Sequence, residues 1–116
     1  MEVKETIAPS TKAILSSLKR RLTALYQDRF LHLTLFGSQA RGEAEDDSDI
    51  DVLIVLKPPV NAGAEIKHTS NIIADLSLQH DVVISCFFMD ADYYSTRNTP
   101  LLHNIRRESI LLGLTH

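Results

Sequence analysis

Residues 30–56 read FLHLTLFGSQARGEAEDDSDIDVLIVL, and this stretch decides the fold. Its first seven residues alternate. Phe30, His32, Thr34 and Phe36 share one side of an extended chain, and Leu31, Leu33 and Leu35 share the other, as a strand requires. Gly37 breaks that strand, and residues 38–42 make a tight turn or a short helix. An acidic loop follows. Asp49 to Leu56 then read as a second strand, rich in β-branched residues, stopped by Lys57-Pro58-Pro59.

Outward from this core, helical and extended patterns alternate. Ser10 or Thr11 can cap a first helix running to about Gln27, with Ile14, Leu15, Leu18, Leu22 and Leu25 on one face. Residues 63–79 form a second long helix, with Ile66, Ile72, Ile73 and Leu76 inward. His80 to Phe88 read as a third strand and residues 90–97 as a short helix. Thr99-Pro100 opens a further helix with proline at its first position. Ser109 to Leu112 form a last short strand. The fold class is therefore α/β (α+β): a small mixed sheet of three or four strands flanked by helices. The helix over 63–79 joins two central strands, for which a parallel crossover is the default and antiparallel pairing the alternative. One domain over residues 1–116 is expected, with its core at about 10–112.

Composition narrows the function classes. Of 116 residues, 44% are hydrophobic and 23% charged, an ordinary balance for a chain with a packed core. No apolar run approaches the ~20 residues of a membrane span, and the first residues lack the apolar centre of a signal peptide. Cys86 is the one cysteine, so no intrachain disulfide forms. These features favour the cytoplasm and speak against a membrane. The net charge of −3 gives little support to stable nucleic-acid binding, which rests on clustered cations.

The chemistry lies where the first strand ends and the second begins. Asp49 and Asp51 are two apart, so on a strand both point one way, with Cα atoms about 6.6 Å apart. Two carboxylates so placed repel unless a cation lies between them, and oxygen ligands of this kind suit Mg²⁺ or Mn²⁺. A pair of ions about 3.5–4 Å apart is compatible with that geometry. Gly37 lets the backbone approach a ligand closely, and the amides after it can bond phosphate oxygens. Ser38 adds a hydroxyl, and Arg41 a guanidinium fork suited to phosphate. A phosphate cradle beside a cation-binding pair implies a metal-bound nucleoside triphosphate, and phosphoryl or nucleotidyl transfer as the reaction. Asp81, at the start of the third strand, is a candidate third carboxylate, able to ligate a cation and accept a proton from the attacking hydroxyl.

Other polar residues have plainer roles. Glu43, Glu45, Asp46 and Asp47 form a solvated loop, and the five histidines show no ligand spacing. Cys86 reads as a small buried hydrophobe. Arg106 and Arg107 end a helix where cations suit its dipole. Tyr93 and Tyr94 are candidates for core packing or for a partner surface.

Gly37-Ser38, ten residues, then Asp49-x-Asp51 resembles the signature of the DNA polymerase beta-like nucleotidyltransferase superfamily. The string GSQARGEAEDDSDIDVLIV, with TPLLHNIRRESILL near the end, is similar to its minimal nucleotidyltransferase branch, departing at Ser109 where that branch has glycine. The resemblance covers about residues 10–112. It implies the nucleotidyltransferase core fold, and Asp49, Asp51 and Asp81 as ligands of Mg²⁺, two ions being expected. It implies Gly37 and Ser38 on the triphosphate, with Arg41 in support. It further implies transfer of a nucleoside monophosphate, usually AMP from ATP, to a hydroxyl with release of pyrophosphate. Many members of the branch are antitoxins of HEPN-domain RNase toxins, and some adenylylate a toxin tyrosine. The leading expectation is such a protein adenylyltransferase. The alternatives are an antitoxin acting by noncovalent binding and a nucleotidyltransferase of small molecules of the antibiotic type, the latter with an acceptor pocket shared across a homo-oligomer.

Overall fold

The computed structural model describes residues 9–37, 49–108 and 110–111. Helix α1 (Pro9–Tyr26) leads through a 3₁₀ turn (Gln27–Arg29) into strand β1 (Phe30–Phe36). Strand β2 (Ile50–Leu56) is followed by helix α2 (Ala62–His80) and strand β3 (Ile84–Asp90). Two short helices, α3 (Ala91–Thr96) and α4 (Pro100–Glu108), precede strand β4 (Ile110–Leu111). The sheet order is β3-β2-β1-β4. β1 runs antiparallel to β2 and to β4, whereas β2 and β3 are parallel, so the sheet is mixed and α2 is the crossover.

The alternation along each strand assigns the two faces. Leu33 and Leu35 of β1, Ile50, Val52, Ile54 and Leu56 of β2, and Ile84 and Phe88 of β3 pack with Ile14, Leu15, Leu18, Leu22, Ile72 and Leu76 of the long helices. On the opposite face, Phe36, Leu53 and Val55 pack with Leu102 and Ile105 of α4. Strand β2 is covered on both sides, which is why IDVLIVL is apolar almost throughout.

Helix ends follow local chemistry. The Asn61 side chain accepts from the Ala64 amide and caps α2, Asp90 caps α3 through the Tyr93 amide, and the Thr99 hydroxyl accepts from Leu102 at the start of α4. Arg106 reaches back from α4 to the carbonyls of Tyr94 and Arg97, closing the end of α3 rather than simply offsetting its own helix dipole.

Three sequence expectations are corrected. α2 continues through His80, and Asp81 closes it in the left-handed conformation (φ 56°), with the Asp81 and Val82 amides both returning to the Ser77 carbonyl. The third strand therefore begins at Ile84 and not at His80, although Val82 and Val83 have strand-like side chains. Ile66 faces out, 54% exposed, and the inward positions of α2 near it belong to Glu65 and Thr69. Leu25 is likewise exposed, and Tyr26 takes the buried place at the end of α1.

Glu65 is buried because three elements satisfy it. The Tyr26 hydroxyl donates to it at 2.7 Å, the Arg29 guanidinium bonds it at 3.2 Å, and His68 lies 3.8 Å away. Burial pushes its carboxyl up, but the bonds from Tyr26 and Arg29 and the charges of Arg29 and His68 outweigh burial and hold it below the usual range. No helix among the described residues is long and apolar enough to cross a membrane.

Candidate active site

The site is built where β1 ends and β2 begins. Antiparallel pairing sets Phe36 opposite Asp51, so the residue after the strand, Gly37, lies next to that carboxylate. Gly37 has φ +78°, a conformation that side chains disfavour. A Cβ there would lie 2.5 Å from Oδ2 of Asp51. Glycine is thus required twice over at this position, by its backbone angle and by the space the carboxylate occupies.

Asp49 is exposed just before β2, and Asp51 is half-buried as its second residue. Burial pushes the Asp51 carboxyl above its ordinary range, and the negative charge of Asp49 pushes it further. The two carboxylates therefore act on one another, as the two-residue spacing requires. Two mutually repelling carboxylates at a strand end, beside a residue without a side chain, fit a divalent cation held by oxygen ligands together with a ligand lying close to backbone.

On the other side of β2, the Ile50 amide donates to the Val83 carbonyl at 2.9 Å and Asp51 pairs with Ser85. Beyond the carboxylates the same face turns apolar. The rings of Phe36 and Phe87 meet edge to face with centroids 5.5 Å apart.

Asp81 is not gathered with the pair. It sits in the turn that closes α2, before β3 begins, and no group of three His, Cys, Asp or Glu residues among the described residues is placed to hold a metal ion. Ser38 and Arg41 fall in the segment 38–48, outside the described residues. The third strand begins four residues later than its sequence pattern suggests, so the β3 residue in register with Asp51 is Ser85. Cys86, next to it, points to the other face, where burial pushes its thiol up to about 12, so no nucleophile is prepared there. The exposed Tyr93 ring carries the Arg97 guanidinium at 5.2 Å, and Tyr94 packs among Phe36, Leu53, Val55, Leu102 and Ile105.

Comparison with known proteins gives the family and the fold. Residues 15–99 match the nucleotidyltransferase domain family. A Methanocaldococcus jannaschii protein, named as a candidate protein adenylyltransferase, is 33% identical over 72 residues, which is 62% of this chain and 72% of that protein. The fold is shared with the crystal structure of a toxin–antitoxin with AMP-PNP, at a TM-score of 0.61 and 16% identity, covering 86% of this chain and 73% of that one. It is shared also with a spectinomycin adenyltransferase from Enterococcus faecialis solved with ATP and spectinomycin, at a TM-score of 0.66 and 12% identity, covering 90% of this chain and 56% of that one. With Gly37 set against Asp51 and the family match spanning β1 through α3, the chain belongs to the nucleotidyltransferase domain family and is an enzyme of that class.

Proposed function

We propose that this nucleotidyltransferase transfers AMP from ATP to a hydroxyl of a partner protein, a tyrosine of a HEPN-type toxin, and so acts as its antitoxin. The observation that carries the reading is the packing of Gly37 on the Asp51 carboxylate, with Asp49 beside it. The relative named as a candidate protein adenylyltransferase supports a protein acceptor, and the toxin–antitoxin structure supports a toxin partner.

In this reading Asp49 and Asp51 hold Mg²⁺, which, when bound, offsets the charge of the triphosphate and of the departing pyrophosphate. Gly37 brings the backbone up to the Asp51 carboxylate, and it holds the triphosphate together with Ser38, with Arg41 in support. The acceptor oxygen forms a bond to the α-phosphorus. The bond from that phosphorus to the bridging oxygen breaks, and pyrophosphate leaves. The hydroxyl proton passes to a carboxylate oxygen of the pair or to water.

The test is to incubate the chain with the protein encoded beside it, ATP and Mg²⁺, and to weigh both intact. A gain of AMP on the neighbour, absent with the Asp49→Asn, Asp51→Asn double variant, is the expected result. No mass change, with a stable complex formed by both versions, would overturn the enzymatic account of that pair in favour of noncovalent binding.

A further inference from the structure

The register of β3 decides which of its side chains stand beside the carboxylates. Asp51 pairs with Ser85, and Ile50 with Ile84. In-register neighbours on adjacent strands share a face about 4.8 Å apart, so the Ser85 side chain lies on the Asp51 side of the sheet, one strand away. Residues of β3 on that face are Ser85, Phe87 and Met89, of which Ser85 alone is polar and is also the one nearest the carboxylate end. It is half-buried. Val83, two residues earlier, is an exposed apolar side chain, and Asp81 is turned into the end of α2.

We propose that Ser85 fills the third side-chain position of this site, so that two carboxylates and a hydroxyl receive the cation where three carboxylates were expected. The inference rests on the nucleotidyltransferase site of Asp49 and Asp51. A hydroxyl can donate to the Asp51 carboxylate or accept from the water shell of a cation. It adds no charge. Two carboxylates balance one divalent ion, whereas a third would leave net negative charge facing an anionic triphosphate. The chain accordingly takes up the free cation weakly and the cation–nucleotide complex more strongly. Ser85 is a positioning residue, acting on the ligands and not on the reacting atoms.

Mn²⁺ binding read by electron paramagnetic resonance, with and without a non-hydrolysable ATP analogue, tests this apart from turnover. Thermal unfolding of each variant checks the fold. Ser85→Asp should tighten Mn²⁺ binding without nucleotide by about tenfold, because it places a third carboxylate in register with Asp51. Asp81→Asn should bind as the parent does. Ser85→Ala should weaken Mn²⁺ binding in the presence of the analogue severalfold, and Ser85→Thr should restore it. Weakened binding in Asp81→Asn, with Ser85→Ala unchanged, would overturn the proposal and return the third position to Asp81. Unchanged Mn²⁺ binding in Asp51→Asn would instead overturn the reading of the site on which the proposal rests.

Discussion

Gly37 and Asp51 occupy one another's space: a Cβ on Gly37 would lie 2.5 Å from Oδ2 of Asp51. Gly37→Ala must therefore displace the carboxylate or move the backbone out of its +78° conformation. Strain of this kind costs about 1–3 kcal/mol. Denaturant unfolding should register that loss. Nucleotidyl transfer should fall by a larger factor than the fraction unfolded explains, since the displaced atom is a proposed cation ligand. A variant with parent activity would show that the Asp51 position tolerates displacement.

Asp49→Asn and Asp51→Asn should each reduce transfer by about 10²-fold or more, the scale of losing one electrostatic contact to developing charge. Neither should unfold the chain, because Asp49 is exposed and Asp51 half-buried at the strand end. Transfer assays beside circular dichroism check both halves of the expectation.

The pH dependence of stability separates Asp51 from the rest of the chain. Its carboxyl is raised by burial and by Asp49, so the folded state holds that proton more tightly than the unfolded state does. Stability from this group is complete below the ordinary Asp range and is lost as pH rises through the raised value. Asp51→Asn removes that loss. Compared across pH by thermal unfolding without divalent cations, the variant should gain on the parent as pH rises out of the acid range. A difference that stays constant with pH would show that the carboxyl is not raised in the folded protein.

The legible and illegible parts of this chain differ in physical kind. Alternation in FLHLTLF and the apolar run in IDVLIVL gave β1 and β2 to within a residue, because side-chain period is a local property. The Asp49–Asp51 pair was readable for the same reason. The start of β3 was not, because Asp81 takes a left-handed conformation that only the hydrogen bonds to Ser77 reveal. Ser85 became visible only through the pairing of β2 with β3, which is set by packing between segments over thirty residues apart. Glu65 was hidden likewise: its partners Tyr26 and Arg29 come from the far side of β1 and β2 in sequence, and without them it reads as a solvated helix residue.

That buried carboxylate gives the last prediction, at the other end of β1 from Gly37. Bonds from Tyr26 and Arg29 hold Glu65 ionised below its usual range despite burial, so it stabilises the fold above the ordinary Glu range and that stability is lost as pH falls. Glu65→Gln keeps an acceptor for the Tyr26 hydroxyl but removes the charge opposite Arg29, at a cost of about 1–3 kcal/mol near neutral pH. The cost should shrink as pH falls, because the parent carboxylate then takes up its proton too. This trend runs opposite in sign to that of Asp51→Asn, so thermal unfolding of the two variants over one pH series distinguishes a stabilising carboxylate from a strained one. Transfer activity per folded molecule should be unchanged in Glu65→Gln, since seven residues of β1 separate Arg29 from Gly37, a span of about 24 Å. A loss of activity without a loss of stability would show that the two ends of the sheet are coupled.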